Sequence, residues 1–292
     1  MNNMKSSASK IKLNGFNDLF GTDDIFSKEK IMDIALSDLY DFKNHPFKVL
    51  DDEKMEETVE SIKENGVLVP GIARPRVGGG YEIISGHRRK RASELAGFST
   101  MPFIVRKYSD DEATIIMVDS NIQREEILPS EKAKAYKMKF DAMKHQGVKA
   151  GARTFDEIGE KAGESGKTVQ RYIWLSRLSD ELLELVDKNK IGITQGVDIS
   201  FLTEEEQQWV LVIMEEQNCS INTNQAAKIK EYGKNGELTL PMVRLILSEE
   251  KPVKRQVTIK ADKISKYFED SYTAKDIESI IYELLEEWVK NH

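Results

Sequence analysis

Two spacings of apolar residues alternate along this chain, and the places where they change divide it. Residues 1–30 are polar and weakly patterned except for one apolar island, "GFNDLFG", so a flexible tail carrying a short sticky motif is expected. Residues 31–108 mix strand and helix patterns. In "KMEETVESIKENG", Met55, Val59 and Ile62 share one helical face, and Gly66 stands where a helix C-terminus favours positive φ. "VLVPGIARPR" is extended, because each proline biases its predecessor away from helix. "VGGG" supplies a hairpin turn, "YEII" a returning strand, and "MPFIVRKY" a further strand with its proline near the start. Between the last two strands, "SGHRRKRASELAG" gives a helix pattern that follows Gly86 and stops at Gly97.

From residue 109 the pattern is helical. Ser109 is an N-cap followed by acids, and a helix opens at Pro129 and closes at Gly147. Two short helices around a tight turn fall at 154–178, and further helices run to residue 235. Residues 236–255 read as a linker with one helix. Residues 256–292 read as a strand, a turn and an amphipathic helix striped by Ile277, Ile280, Ile281, Leu284, Leu285 and Trp288. The expected fold class is α+β, with a mixed α/β domain at 31–108, a helical domain at 109–235 and a short β-α region at the end.

Composition narrows the function classes. The 292 residues are 39% hydrophobic and 32% charged, which suits a helix-rich soluble protein of two or three domains. No apolar run approaches the roughly 20 residues that span a bilayer, so no membrane association is expected. The first residues lack the apolar centre of a signal peptide, and one cysteine, Cys219, excludes an internal disulfide framework; both fit the cytoplasm. Four scattered histidines argue against structural zinc, and the lack of clustered Asp, Glu and His argues against a nuclease. Net charge is −7, yet it is uneven: Ser165 to Leu178 carries three bases and no acids, whereas Asp276 to His292 carries five acids and one lysine.

The paired helices at 154–178 have the parts of a helix-turn-helix. Thr154 is placed to cap the first helix, with Glu157 completing a capping box. Ile158 and Ala162 face inward, small residues at Gly159 and Ala162 let the helices cross closely, and Gly163 permits the turn. Ser165 caps the second helix, whose Val169, Ile173 and Leu178 face the core. Its outward residues are Lys167, Thr168, Gln170, Arg171 and Arg177. Gln170 and Arg171 suit base edges in a major groove, while Lys167 and Thr168 suit phosphates. The same pattern also fits an ordinary antiparallel helix pair with a solvated basic face.

The stretch "YEIISGHRRKRASELAG" puts Arg88, Arg89, Lys90 and Arg91 directly after a strand and a glycine. Free N–H groups and the helix dipole make such a start an anion site, and arginine forks add bidentate phosphate contacts. The box therefore suits a di- or triphosphate better than a smooth duplex surface. It lacks the spacing of a P-loop. About thirty residues on, "DSNIQREEILPSE" places Asn121 and Arg124 on one helical face, Asn121 for a metal-bound oxygen and Arg124 for a phosphate.

In this order the motifs resemble the ParB/RepB family of DNA partition proteins, over nearly the whole chain. "HPFKVLDDEKMEETVESIKENGVLVPGIARP" is similar to the family's opening, "GHRRKRASELAG" to its phosphate motif, and "SNIQREEILPSEKAKAY" to its second box. The resemblance implies CTP bound with Mg²⁺ in a nucleotide-binding N-terminal domain. Gly86, His87, Arg88 and Arg89 would meet the triphosphate, Asn121 the metal and phosphates, and Gly66, Val67 and Arg74 the nucleoside. It also implies a palindromic double-stranded DNA site whose binding closes the N-terminal domains into a sliding clamp, associated with the nucleoid or a plasmid. The C-terminal region 256–292 departs from the family; its strand and apolar-striped helix suit a homodimer through strand pairing and helix packing, as two half-sites require, or a stripe packed onto its own chain. A ParA-type ATPase would read the tail, where "KIKLNGFNDLFG" offers Lys10 and Lys12. Two positions depart from the family: His87 stands where glutamate is common, and Ser120 where a glutamate is linked to hydrolysis. The resemblance therefore carries CTP binding further than CTP hydrolysis, and a weak CTPase activity stays open. A transcriptional regulator of the same fold without nucleotide gating is the alternative.

Overall fold

The computed structural model describes residues 31–124, 127–149, 151–248, 261–269 and 271–291. The chain divides between Ser248 and Glu249 into two units. The tail with Lys10 and Lys12, and the strand expected from "QVTIK", lie outside the described residues.

In the first unit five strands form one mixed sheet in the order β1-β5-β3-β4-β2, made of β1 (Ile31–Ala35), β2 (Leu39–Tyr40), β3 (Gly71–Pro75), β4 (Tyr81–Ser85) and β5 (Thr100–Val105). β1 with β5 and β3 with β4 are antiparallel, whereas β3 with β5 and β2 with β4 are parallel. Alternation along the strands fills both faces. Ile34, Ala73, Ile83, Met101 and Phe103 form one apolar layer with Leu39, against which Val67 packs. On the other face, Ile72 and Ile84 join the helical core described below. Helix α1 (Glu53–Asn65) is capped by Asp52 and ends at Gly66, whose φ is 68°. Its Met55, Val59 and Ile62 meet Ala92 of α2 (His87–Leu95).

Nine further helices follow in this unit among the described residues, eight of them before residue 236. Those eight are α3 (Asp110–Asn121), α4 (Pro129–His145), α5 (Ala152–Glu160), α6 (Gly166–Leu175), α7 (Asp180–Asp187), α8 (Ile193–Ile199), α9 (Glu204–Gln217) and α10 (Thr223–Asn235). Ser109 and Glu112 form the capping box that starts α3, and Pro129 opens α4 at a position where its missing N–H costs nothing. Ala113, Met117 and Val118 of α3 share a core with Phe42, Phe47, Ile84, Tyr136, Ile158, Val169 and Ile173, so sheet and helices are welded by one apolar layer. A second core, built on Leu175, Leu182, Val186, Val210 and Ile229, runs through α6 to α10.

The first turn of α4 reaches three neighbours with three consecutive residues. The Ser130 N–H donates to Asp187 at 2.9 Å, Glu131 accepts the Lys48 N–H at 2.8 Å, and Lys132 pairs with Glu164 at 2.6 Å.

The one helix expected in the linker at 236–255 is α11 (Leu240–Ser248), and its Val243, Ile246 and Leu247 are buried in the second core. Burying side chains of this kind stabilises by roughly 1.5–3 kcal/mol each. Pro241 does not break the helix because it falls in the first turn.

The second unit holds α12 (Ala261–Ile264), a 3-10 turn at Ser265–Tyr267, and α13 (Ala274–Lys290). A Thr273–Asp276 capping box starts α13. Its Leu284, Leu285 and Trp288 are largely exposed.

Candidate functional site

β4 ends at Ser85, and Gly86 turns the chain into α2 with φ of 115°, a left-handed conformation that disfavours any side chain. A Cβ there would also lie 3.2 Å from the Cα of Gly71. The N-terminal turn of α2 therefore rests close against β3, with its basic side chains fanned outward.

Those side chains differ in their partners. Arg88 donates to Asp52 at 2.7 Å. Arg91 forks onto Asp51 at 2.6 and 3.1 Å, and Lys90 sits 3.7 Å from Asp41. Arg89 is different: its guanidinium donates to the carbonyls of Val69 and of Pro70, the latter at 2.9 Å, and no carboxylate pairs with it among the described residues. Burial lowers its pKa, as expected for a cation held by neutral dipoles. A cleft of about 380 Å³ opens beside it, lined among others by Thr58, Ser61, Gly66, Val67, Leu68 and Val69. Leu68 is 76% exposed, an apolar side chain left without cover at the mouth.

His87 is buried, and with His45, Lys90 and Arg91 it lines a cleft of about 380 Å³. Its Nε2 accepts the Phe42 N–H at 3.4 Å, and its ring lies 4.0 Å from that of His45. Burial, then His45, Lys90 and Arg124, pushes its pKa down to about 3, so it is a neutral acceptor. His45 donates through Nδ1 to the Phe47 carbonyl at 2.7 Å, while its buried Nε2 has no hydrogen-bond partner among the described residues.

The second box arrives from α3. Asn121 is its last residue and is buried. Its amide nitrogen donates to the Met117 carbonyl at 2.7 Å, which leaves the amide oxygen as the group able to meet a cation. Ser120 hydrogen-bonds the same carbonyl at 3.0 Å, and Asp119 is held between Lys139 and Lys161 at 2.6 and 2.7 Å. The shared helical face expected for Asn121 and Arg124 is corrected, because the helix stops at Asn121. Arg124 lies beyond it, tied by its own N–H to the Asn121 carbonyl at 3.1 Å. Its guanidinium lies over the Phe47 ring at 5.8 Å. Burial lowers its pKa most; Glu131 opposes that, and Arg88 adds like-charge repulsion. The two basic boxes, far apart in sequence, thus lie within electrostatic reach of one another. Among the described residues no cluster of three His, Cys, Asp or Glu could hold a metal by itself.

Arg74 is not with Gly66 and Val67. Strand alternation puts it on the face opposite Ala73, where it is held by Glu82 at 2.6 Å and Asp110 at 2.7 Å. It joins β3, β4 and the start of α3. The acids Asp41, Asp51 and Asp52, which partner the basic box, were not foreseen; only the Asp52 N-cap position signalled any of them.

The outward residues at 165–178 lie where expected. Ser165 caps α6 by accepting the Thr168 N–H at 3.2 Å, Gly163 has φ of 67°, and Val169 and Ile173 are buried. Lys167, Arg171 and Arg177 are exposed, with Thr168 and Gln170 half-buried. Arg171 is braced by Thr194 of α8 at 2.6 Å. The cap expected at Thr154 is corrected: α5 starts earlier, with Gly151 at the cap position, and the buried Thr154 hydroxyl donates to the Lys149 carbonyl.

Residues 22–122 match the family model described as ParB N-terminal domain. A probable chromosome 1-partitioning protein ParB of Deinococcus radiodurans is 30% identical over 65% of this chain, and the match spans 62% of that protein's own length. The chain is thus similar to the ParB family, above all through its N-terminal domain. A nucleoid occlusion protein of Listeria monocytogenes is similar to the chain more broadly, 28% identical over 83% of it and 81% of the relative. A C-terminally truncated ParB from Caulobacter crescentus, solved in complex with CTP-gamma-S, is 25% identical and covers 64% of this chain and 98% of its own. Its TM-score of 0.31 is too low to place a ligand here.

Proposed function

We propose that this ParB-like protein binds a palindromic double-stranded DNA site and, with Mg²⁺, CTP, and that the nucleotide gates a clamp on DNA for segregation of a chromosome, plasmid or mobile element. The observation that carries the nucleotide reading is the convergence of Arg88, Arg89 and Arg124 at a glycine-led helix start beside an apolar-mouthed cleft. Cations buried at that density call for an anion, and a helix N-terminus is built to take one. Gly66, Val67 and Leu68 would face the nucleoside. Mg²⁺ would be held by the phosphates together with the Asn121 amide oxygen and would neutralise phosphate charge. His87 would act as a support, since it faces Phe42 and His45.

DNA reading is assigned to α6. Gln170 and Arg171 would meet base edges, with Lys167, Thr168 and Arg177 on phosphates. The exposed stripe of α13 supports a homodimer, which a palindrome requires for its two half-sites. The proposed ParA-type partner would read the tail through Lys10 and Lys12.

A second reading, DNA binding without nucleotide gating, has one observation in its favour: Arg88, Lys90 and Arg91 already have carboxylate partners. Titration calorimetry of the full chain with CTP and Mg²⁺ separates the two. Saturable heat supports the clamp; its absence, with and without the bound DNA site, leaves only the regulator.

A further inference from the structure

The first turn of α2 shows an unequal distribution of acids. Arg91 is locked by a two-point fork from Asp51 and by Glu94 at 3.5 Å. Lys90 sits between Asp41 and Glu94. Arg88 is held by a single contact, from Nη2 to the Oδ1 of Asp52. That oxygen is already anchored, because it also accepts the Met55 N–H at 2.8 Å as the N-cap of α1. Losing Arg88 would therefore cost α1 nothing at its cap. Of the three carboxylate-paired bases, Arg88 is the one whose anion can be exchanged without dismantling a second interaction. It also shares the site with Arg89 and is within reach of Arg124.

We propose that Asp52 occupies the place of a phosphate on Arg88 in the nucleotide-free protein, and that a bound polyphosphate displaces it. This rests on the nucleotide reading above and deepens it. The exchange swaps one anion for another at Arg88, so the arginine never stands unpaired. The phosphate can add a bidentate fork that the single Asp52 contact lacks. Asp52 thus lowers affinity for any nucleotide by the strength of its own contact, and sets the least negative charge a ligand must carry to compete.

Asp52→Asn is the deciding variant. Asparagine keeps the N-cap oxygen and removes only the charge on Arg88. The control is Asp51→Asn, which removes the same charge one residue away, from Arg91. Affinities for CTP with Mg²⁺ are measured by calorimetry on the full chain, with circular dichroism to confirm intact helix content. A half-exposed ion pair is weak, so Asp52→Asn should tighten binding by about two- to fivefold, with the gain shrinking in high salt. Asp51→Asn should change it by much less. Equal gains in both variants, or none in either, overturn the proposal while leaving nucleotide binding intact. No heat from the unaltered protein would overturn the nucleotide reading itself.

Discussion

The Tyr136 hydroxyl donates to the Glu164 carboxylate at 2.9 Å, from the middle of α4 to the turn that precedes α6. Burial, and then Glu164, pushes the phenol well above its ordinary pKa, so it remains a donor. Lys132 holds the same carboxylate from one turn earlier. Tyr136→Phe should cost about 1.5–3 kcal/mol, the usual net value of a hydrogen bond to a charged group, read as a lower urea midpoint at unchanged slope. Glu164→Ala should cost more, because it strands both donors.

Gly159 is a tighter constraint. A Cβ at that position would lie 2.3 Å from the backbone carbonyl oxygen of Glu164, which cannot swing aside as a side chain would. Gly159→Ala should destabilise by about 1–3 kcal/mol and misplace the start of α6. Thermal unfolding and a DNA-binding assay check the two effects. Unaltered stability would mean the turn yields.

The two proposed sites should separate by mutation. Arg89→Ala should abolish the heat of CTP binding and leave sequence-specific DNA binding intact. Gln170→Ala or Arg171→Ala should do the reverse, with a loss of about 1–3 kcal/mol of discrimination per lost base contact. Competition of cognate against random duplex measures it. Loss of both activities in one variant would show that the sites are not independent.

Acid should weaken the fold before any carboxylate titrates. His87 has a folded pKa of about 3 against an ordinary 6.5, and burial lowers His45 as well. A group with a depressed folded pKa contributes stability that is complete above its unfolded value and is lost as pH falls toward the folded one. Urea midpoints should therefore drop between about pH 7 and pH 5, where unfolded histidine gains its proton. His87→Gln should flatten part of that fall. Identical slopes in both proteins would exclude His87 as a source.

The exposed Leu284, Leu285 and Trp288 of α13 lead to a further expectation. Leu285→Lys should halve the mass seen in sedimentation if this stripe joins two copies. An unchanged mass would place the dimer contact elsewhere.

Much of the fold was legible because its signals are local. The Ser109–Glu112 box, Pro129 with Gly147, Gly66 and Ser165 each mark a helix end by residue type alone. The errors came from competing local options or from distance. Thr154 had the right spacing to Glu157 for a capping box, but a start at Gly151 put it inside the helix. Arg74 is placed at the nucleoside by the family resemblance, whereas in the sheet it faces away from Ala73 and pairs with Glu82 and Asp110. In the site, the glycine-led box was readable and its acids were not. Asp52 reaches Arg88 across 36 positions, and no pattern within a helix or strand encodes such a pairing.

Ser130, Glu131 and Lys132 have one more consequence. Successive residues leave a helix axis about 100° apart, so these three side chains cover most of its circumference. Their partners lie on α7, on the segment before α1 and on the turn before α6. A helix gripped on three sides has its rotational phase fixed. A single-residue deletion just ahead of this turn would require all three bonds to be remade together. Here the length of the chain, and not only its composition, is under structural constraint.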